Sequence, residues 1–181
     1  MRAFFFILKL FFVFLTFNSC VSKKTIAKTN DYVFFAELKN NLLVFKVDTV
    51  QYKNFIKTEL FAKESIYFQK IDIVKHYMIG SKKVFYYLSI EDKINGIKVA
   101  KWLDYIDGKF YSKMMIEEGD LFEQSYLVCR GVDGCSPNVL EVDGIKHWGC
   151  SEEVSCFVDK DAATKFQEKC KSFKSVIMSE K

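Results

Sequence analysis

Between Tyr32 and Val128 the chain runs in short stretches of alternating apolar and polar residues, divided by Asn, Asp and Gly. Tyr32 to Leu38 and Leu42 to Val47 flank Asn40-Asn41, two residues that tolerate the positive φ of a tight turn, and this pattern predicts a hairpin. Asp48 and Thr49 precede Tyr52, Phe55, Ile56 and Leu60. Their i, i+3, i+4, i+8 spacing lays them on one helical face, so a short capped helix is expected there. Ser65 to Val74 and Lys83 to Ile90 are rich in Ile, Val, Phe and Tyr and read as strands. Asn95-Gly96 and Asp107-Gly108 are type I′ hairpin signals, and they imply a meander through Ile97 to Ile106, Lys109 to Ile116 and Leu121 to Val128. Asp143-Gly144 repeats the signal between Val139 to Val142 and Ile145 to Trp148.

Near the C-terminus the period changes. Asp161 is placed to cap a helix whose Ala162, Phe166, Cys170 and Phe173 share one face. These elements predict an α+β fold, mainly an antiparallel β-sheet of hairpins and meander with a C-terminal helix packed on it. All eight glycines lie from Gly80 onward, and the stretch from Cys129 to Cys156 holds four of them together with Pro137. The composition therefore changes within one domain: a regular body over 31–128, then a cysteine-stapled loop segment over 129–170.

The N-terminus is of another kind. The first 19 residues hold 14 hydrophobic residues, seven of them Phe, with charges only at Arg2 and Lys9. The apolar run from Leu10 to Phe17 is far shorter than the roughly 20 residues a spanning helix needs, and a secretory signal peptide over 1–19 is expected instead. Leu15-Thr16-Phe17-Asn18-Ser19-Cys20 closes it, a small residue directly before a cysteine. This resembles the lipobox of bacterial lipoproteins, with Phe17 where that family prefers Leu. The resemblance covers the N-terminal stretch alone. It implies that the thiol of Cys20 carries diacylglycerol, that cleavage makes Cys20 the first mature residue, and that the new amino group is acylated. Two or more acyl chains hold a protein stably on a membrane. Residues 20–30 then read as a polar lipidated tether and 31–181 as a single globular domain. Val21-Ser22-Lys23-Lys24 lacks the acidic residues that in such lipoproteins direct retention at the inner membrane or display at the surface. An outer-membrane position facing the periplasm follows as the expectation.

Removing Met1 to Ser19 leaves 25 Lys+Arg against 23 Asp+Glu, and Arg130 is the one arginine among those cations. Phosphate and base edges are read best by the guanidinium fork, so nucleic acid is not an expected partner.

Six cysteines stand at 20, 129, 135, 150, 156 and 170, and lipidation of Cys20 leaves five, which cannot all pair within the chain. Cys129/Cys135 and Cys150/Cys156 repeat one C-x5-C spacing. Two local disulfides are one scheme; a longer bond from Cys170 into the loop segment is the other. Zinc would use C-x2-C or C-x4-C knuckles, so no metal is expected from these cysteines with His147.

Catalytic motifs are absent from the sequence: there is no G-x-S-x-G, P-loop or H-E-x-x-H, and no cofactor is implied. Cys150 with His147 three residues before it has the composition of a thiol nucleophile and base, but an oxidised Cys150 cannot serve. Glu117-Glu118-Gly119-Asp120 reads as a solvated turn, and Asp159-Lys160-Asp161 lacks the glycine and distal glutamate of a calcium loop. The candidate binding surface is Arg130, Asp133, Lys146, His147 and Trp148, all within the stapled segment, because Trp and Arg are enriched at interface hot spots. The expected function is a non-catalytic binding or structural module anchored in the envelope, with an envelope protein or cell-wall component as partner. An inhibitor or immunity-type protein acting on a lytic enzyme or toxin is the alternative, and an uncharacterised hydrolase the third.

Overall fold

The computed structural model describes residues 32–113, 121–131, 135–150 and 170–177. The fold is α+β with mainly β character. In chain order the elements are β1 (Tyr32–Lys39), β2 (Leu42–Phe45), α1 (Thr49–Phe61), β3 (Lys70–Tyr77), β4 (Val84–Asp92), β5 (Ile97–Ile106), β6 (Lys109–Lys113), α2 (Leu121–Gln124), β7 (Ser125–Gly131), β8 (Asn138–Val142), β9 (Ile145–Gly149) and β10 (Cys170–Ile177). One path of antiparallel strands runs β10-β7-β5-β6-β1-β2, with β4 also paired to β5 and β3 to β4, while β8 and β9 form a separate hairpin.

Three turns behave as the dipeptides predict. Asn40 and Asn41, Asp107 and Gly108, and Asp143 and Gly144 all take positive φ, the type I′ requirement. At Asn95-Gly96 only Gly96 does so. Here a four-residue connection, Lys93–Gly96, joins Asp92 to its register partner Ile97. The reason is the Asp92 carboxylate, which accepts from the Ile94 and Asn95 N–H groups and winds the chain right-handed before Gly96 reverses it.

Helix α1 begins where expected: Asp48 accepts from the N–H groups of Val50 and Gln51 at 2.9 and 3.0 Å. Its predicted face packs inward, with Ile56 buried and Tyr52, Phe55 and Leu60 against the same core. Other boundaries differ. Residues 65–69 are not strand, although Ile66 and Phe68 are buried in the core. Leu121 to Gln124 form one helical turn before β7, and the Ser125 hydroxyl donates to the Phe122 carbonyl at 3.0 Å.

The C-terminal helix prediction is corrected in part. Cys170 and Phe173 lie in β10, which pairs with β7 from Cys170↔Gly131 to Ile177↔Ser125. Pairing along an open strand edge outweighs a helical spacing of four apolar residues. Ala162 and Phe166 lie outside the described residues, as do Met1 to Asp31.

The sheet is buried on both sides, and strand parity assigns the faces. Leu88, Ile90, Ile97, Val99, Leu103, Tyr126 and Val128 meet Phe35, Ile56 and Phe61. Phe85, Tyr87, Ala100, Trp102, Leu127 and Cys129 meet Met78, Cys135, Val139 and Cys150. The result is three layers: α1 and the β1–β2 hairpin, the central strands, and the cysteine-bearing segment. Val99 to Leu103 are consequently buried without a break. A β-bulge at Phe35 lets consecutive Phe35 and Ala36 both enter the core.

A disulfide joins Cys129 to Cys150, 21 residues apart. The local C-x5-C scheme is therefore not adopted: Cys129 reaches the end of β9 rather than Cys135, and Cys135 is held in a different disulfide. The physical reason is topology, since β9 carries Cys150 back onto the face where Cys129 points. Among the described residues no helix is long and apolar enough to cross a membrane.

Along β3 the edge away from β4 is capped at two of its outward N–H groups. Met78 N–H donates to the Lys83 carbonyl at 2.9 Å, which in this register turns even-numbered residues toward β4 and odd-numbered ones outward. Of the outward donors, Ile73 N–H is taken by the Asp72 carboxylate at 2.8 Å and Tyr77 N–H by His76 Nδ1 at 2.9 Å. Ile79, just beyond, is bonded to β8.

Candidate functional site

The predicted binding residues do not meet on one surface. Arg130 shares the α1 face of the sheet: its guanidinium lies 5.3 Å from the Phe61 ring centre and grips Glu64 with both nitrogens, at 2.8 and 2.6 Å. Lys146 and Trp148 project onto the other face. The Lys146 ammonium sits 4.4 Å from the Trp102 ring centre, and Trp148 stacks on Phe122 at 5.0 Å and donates to the Phe122 carbonyl at 3.2 Å. Trp148 is thus part of the packing over Tyr87 and Phe122. His147 alternates outward and is exposed. Asp133 lies outside the described residues, as do Cys20 and Cys156. Cys150, oxidised to Cys129, has no thiol to offer His147.

Around Arg130 the fold builds a groove of about 800 Å³, walled by the Lys93–Gly96 turn, Glu91, Lys98 and the end of β7. Its floor is organised by a residue that the sequence reading did not single out. Asp92 is fully buried. One of its carboxylate oxygens accepts from Ile94 N–H (3.0 Å), Asn95 N–H (3.1 Å) and Gln69 Nε2 (3.5 Å), and the other from Tyr67 N–H (2.9 Å) and Asn95 Nδ2 (2.6 Å). Burial opposes ionisation of Asp92, but the hydrogen bonds from Asn95, Tyr67 and Gln69 outweigh it and hold the carboxyl below its ordinary range. Gln69 Oε1 completes the brace by accepting from Lys93 N–H at 2.9 Å.

Three segments distant in sequence converge here: the chain after α1 (Glu64 to Gln69), the β4–β5 turn, and the end of β7. Gly96 marks a close approach of the turn to the end of β7. Its carbonyl accepts from Gly131 N–H at 2.9 Å, and a Cβ at Gly96 would lie 2.3 Å from the Gly131 carbonyl oxygen. On the outer wall Lys98 donates to the Ser136 hydroxyl at 2.7 Å, linking β5 to the cysteine segment. Asp92, Lys98 and Arg130 are engaged within the protein, whereas Lys93 stands exposed at the rim of the groove.

A second polar cluster sits inside the α1 face. Lys101 is 1% exposed at a position where strand alternation calls for an apolar residue. Its ammonium lies 4.3 Å from the Tyr126 ring centre and donates to the Gln124 carbonyl at 3.1 Å, and the Tyr126 and Tyr52 hydroxyls are 2.6 Å apart. This cluster ties α1, α2, β5 and β7 together. Among the described residues no three of His, Cys, Asp or Glu converge to hold a metal ion.

Searches of protein-family models, of curated proteins and of solved structures find no match to this chain.

Proposed function

We propose that this protein is an exported binding module of the bacterial cell envelope, lipid-anchored through Cys20 at the outer membrane and facing the periplasm, and that it receives its partner at the β4–β5 turn. The observation that carries the binding site is the convergence at Asp92: five hydrogen bonds to one buried carboxylate fix the turn beside an open groove. A surface held rigid before contact loses less entropy on binding. The resemblance of Ser19-Cys20 and its upstream run to a lipobox supports the address, and the Cys129–Cys150 disulfide is in keeping with an oxidising compartment.

A reading as an inhibitor of a lytic enzyme or toxin draws on the same turn, because a braced projecting loop is the kind of element that enters another protein's cleft. It differs in outcome: the captured partner would be an enzyme and would lose activity.

Two comparisons test the proposal. Wild type should fractionate with the outer membrane and Cys20→Ser with the soluble periplasm; retention of Cys20→Ser on the membrane contradicts the anchor. Capture of an envelope component should be lost in Lys98→Ala combined with Arg130→Ala, and undiminished capture contradicts the groove.

A further inference from the structure

We infer that Tyr67 and Ile94 form the apolar anchor of a protein-docking surface, and that the partner presents an apolar socket bordered by carboxylates. This rests on the β4–β5 turn being the recognition site and deepens that reading by naming the class of partner. Tyr67 is 72% exposed and Ile94 83%, the two highest values among the exposed large hydrophobic residues described. They stand on separate segments, yet the backbone N–H of each donates to the same Asp92 carboxylate, at 2.9 and 3.0 Å. Neither position is loose. Tyr67 is flanked by Ile66 and Phe68, both buried in the core, and Ile94 follows Lys93, whose N–H is held by Gln69.

The chain thus holds two apolar side chains in water on segments braced by five hydrogen bonds to one carboxylate. Covering apolar surface of this kind is favourable, so a partner that seats both side chains gains from their burial. Tyr is enriched at interface hot spots, and rigid anchors bind with little ordering cost. The chemistry of the surroundings selects the occupant. Lys93 is exposed beside Ile94 and Lys98 lines the groove next to it, so carboxylates on the partner are favoured. A groove beside a projecting anchor matches the relief of a protein. A bilayer is flat and offers no socket for a projecting anchor beside a groove.

The test uses the full-length protein in its native envelope, with a benzophenone amino acid placed at position 94, at 67 or, as a control, at 145, where Ile145 is 61% exposed on β9. Light should give one discrete protein adduct from 94 and from 67 and none from 145, mapped on the partner to an apolar site containing Asp or Glu. With that partner purified, Ile94→Ala and Tyr67→Ala should each weaken affinity at least tenfold, and Ile145→Ala should leave it unchanged. Both side chains are exposed, so their truncation leaves the fold in place. Absence of an adduct at 94 and 67 overturns the inference. So does flotation of the Cys20→Ser protein with anionic vesicles that is lost in Ile94→Ala, since lipid would then be the occupant. If Lys98→Ala with Arg130→Ala abolishes binding while Ile94→Ala and Tyr67→Ala do not, the groove stands and the apolar anchor falls. If none of the four matters, both fall.

Discussion

Cys129 and Cys150 are joined across 21 residues with their Cα atoms 5.6 Å apart, and the bond fastens β7 in the central sheet to the end of the β8–β9 hairpin. It closes a loop that contains the hairpin and the packing of Trp148 against Phe122 and Tyr87. By loop-closure entropy such a bond contributes about 3 kcal/mol. Replacing both cysteines by alanine should lower the urea-derived unfolding free energy by that amount. A change below about 1 kcal/mol would mean that packing alone holds the hairpin on the sheet.

Asp92 makes stability depend on acid. Its carboxyl is held below the ordinary range, so the stabilisation is fully present above the unfolded value of about 4 and is lost as pH falls through the lower folded value. Asp92→Asn should be less stable than wild type by about 2–3 kcal/mol at neutral pH, because charge-assisted bonds to buried donors are replaced by weaker ones. That gap should narrow below pH of about 4. A constant gap from pH 7 to 3 would show that the charge contributes nothing.

Two glycines of positive φ separate backbone strain from crowding. Gly144, at φ +79°, has nothing within 4 Å of an added Cβ, so Gly144→Ala meets only the left-handed penalty, about 1–2 kcal/mol. Gly96, at φ +61°, would in addition drive its Cβ against the Gly131 carbonyl. Gly96→Ala should cost clearly more in thermal or chemical unfolding and should also loosen the groove. Equal costs would contradict the close approach of β7 to the turn.

The β3 edge carries its own protection. With Asp72 and His76 removed, the outward N–H groups of Ile73 and Tyr77 are left open to another strand. Asp72→Ala with His76→Ala should increase self-association in sedimentation velocity, while each single variant does so less. Unchanged monomer content in the double variant would assign the edge no role in solubility.

Much of this architecture is legible in the sequence because it is local. Asn40-Asn41, Asp107-Gly108 and Asp143-Gly144 specify their turns through backbone preference, and Asp48 caps α1 through atoms two and three residues away. What depended on closure of the sheet was not legible. The two C-x5-C pairs suggested local bonds, but register carried Cys129 and Cys150 together. Arg130 was found by residue type, whereas its fork partner Glu64, 66 residues away, has no sequence signal. Asp92 carries one: Asp92-x-x-Asn95-Gly96 is an Asx-turn pattern, and it competes with the hairpin signal of the Asn-Gly pair inside it. Lys101 had another, as a lysine at an inward position of β5.

The proposed mature chain, starting at a lipidated Cys20, is tested most directly by the intact mass of the protein extracted from membranes. The expected mass lacks Met1 to Ser19, carries diacylglycerol plus an amide-linked acyl chain, and falls by four hydrogens for two disulfides. A mass that retains the first 19 residues, or that begins elsewhere with no lipid, would contradict it.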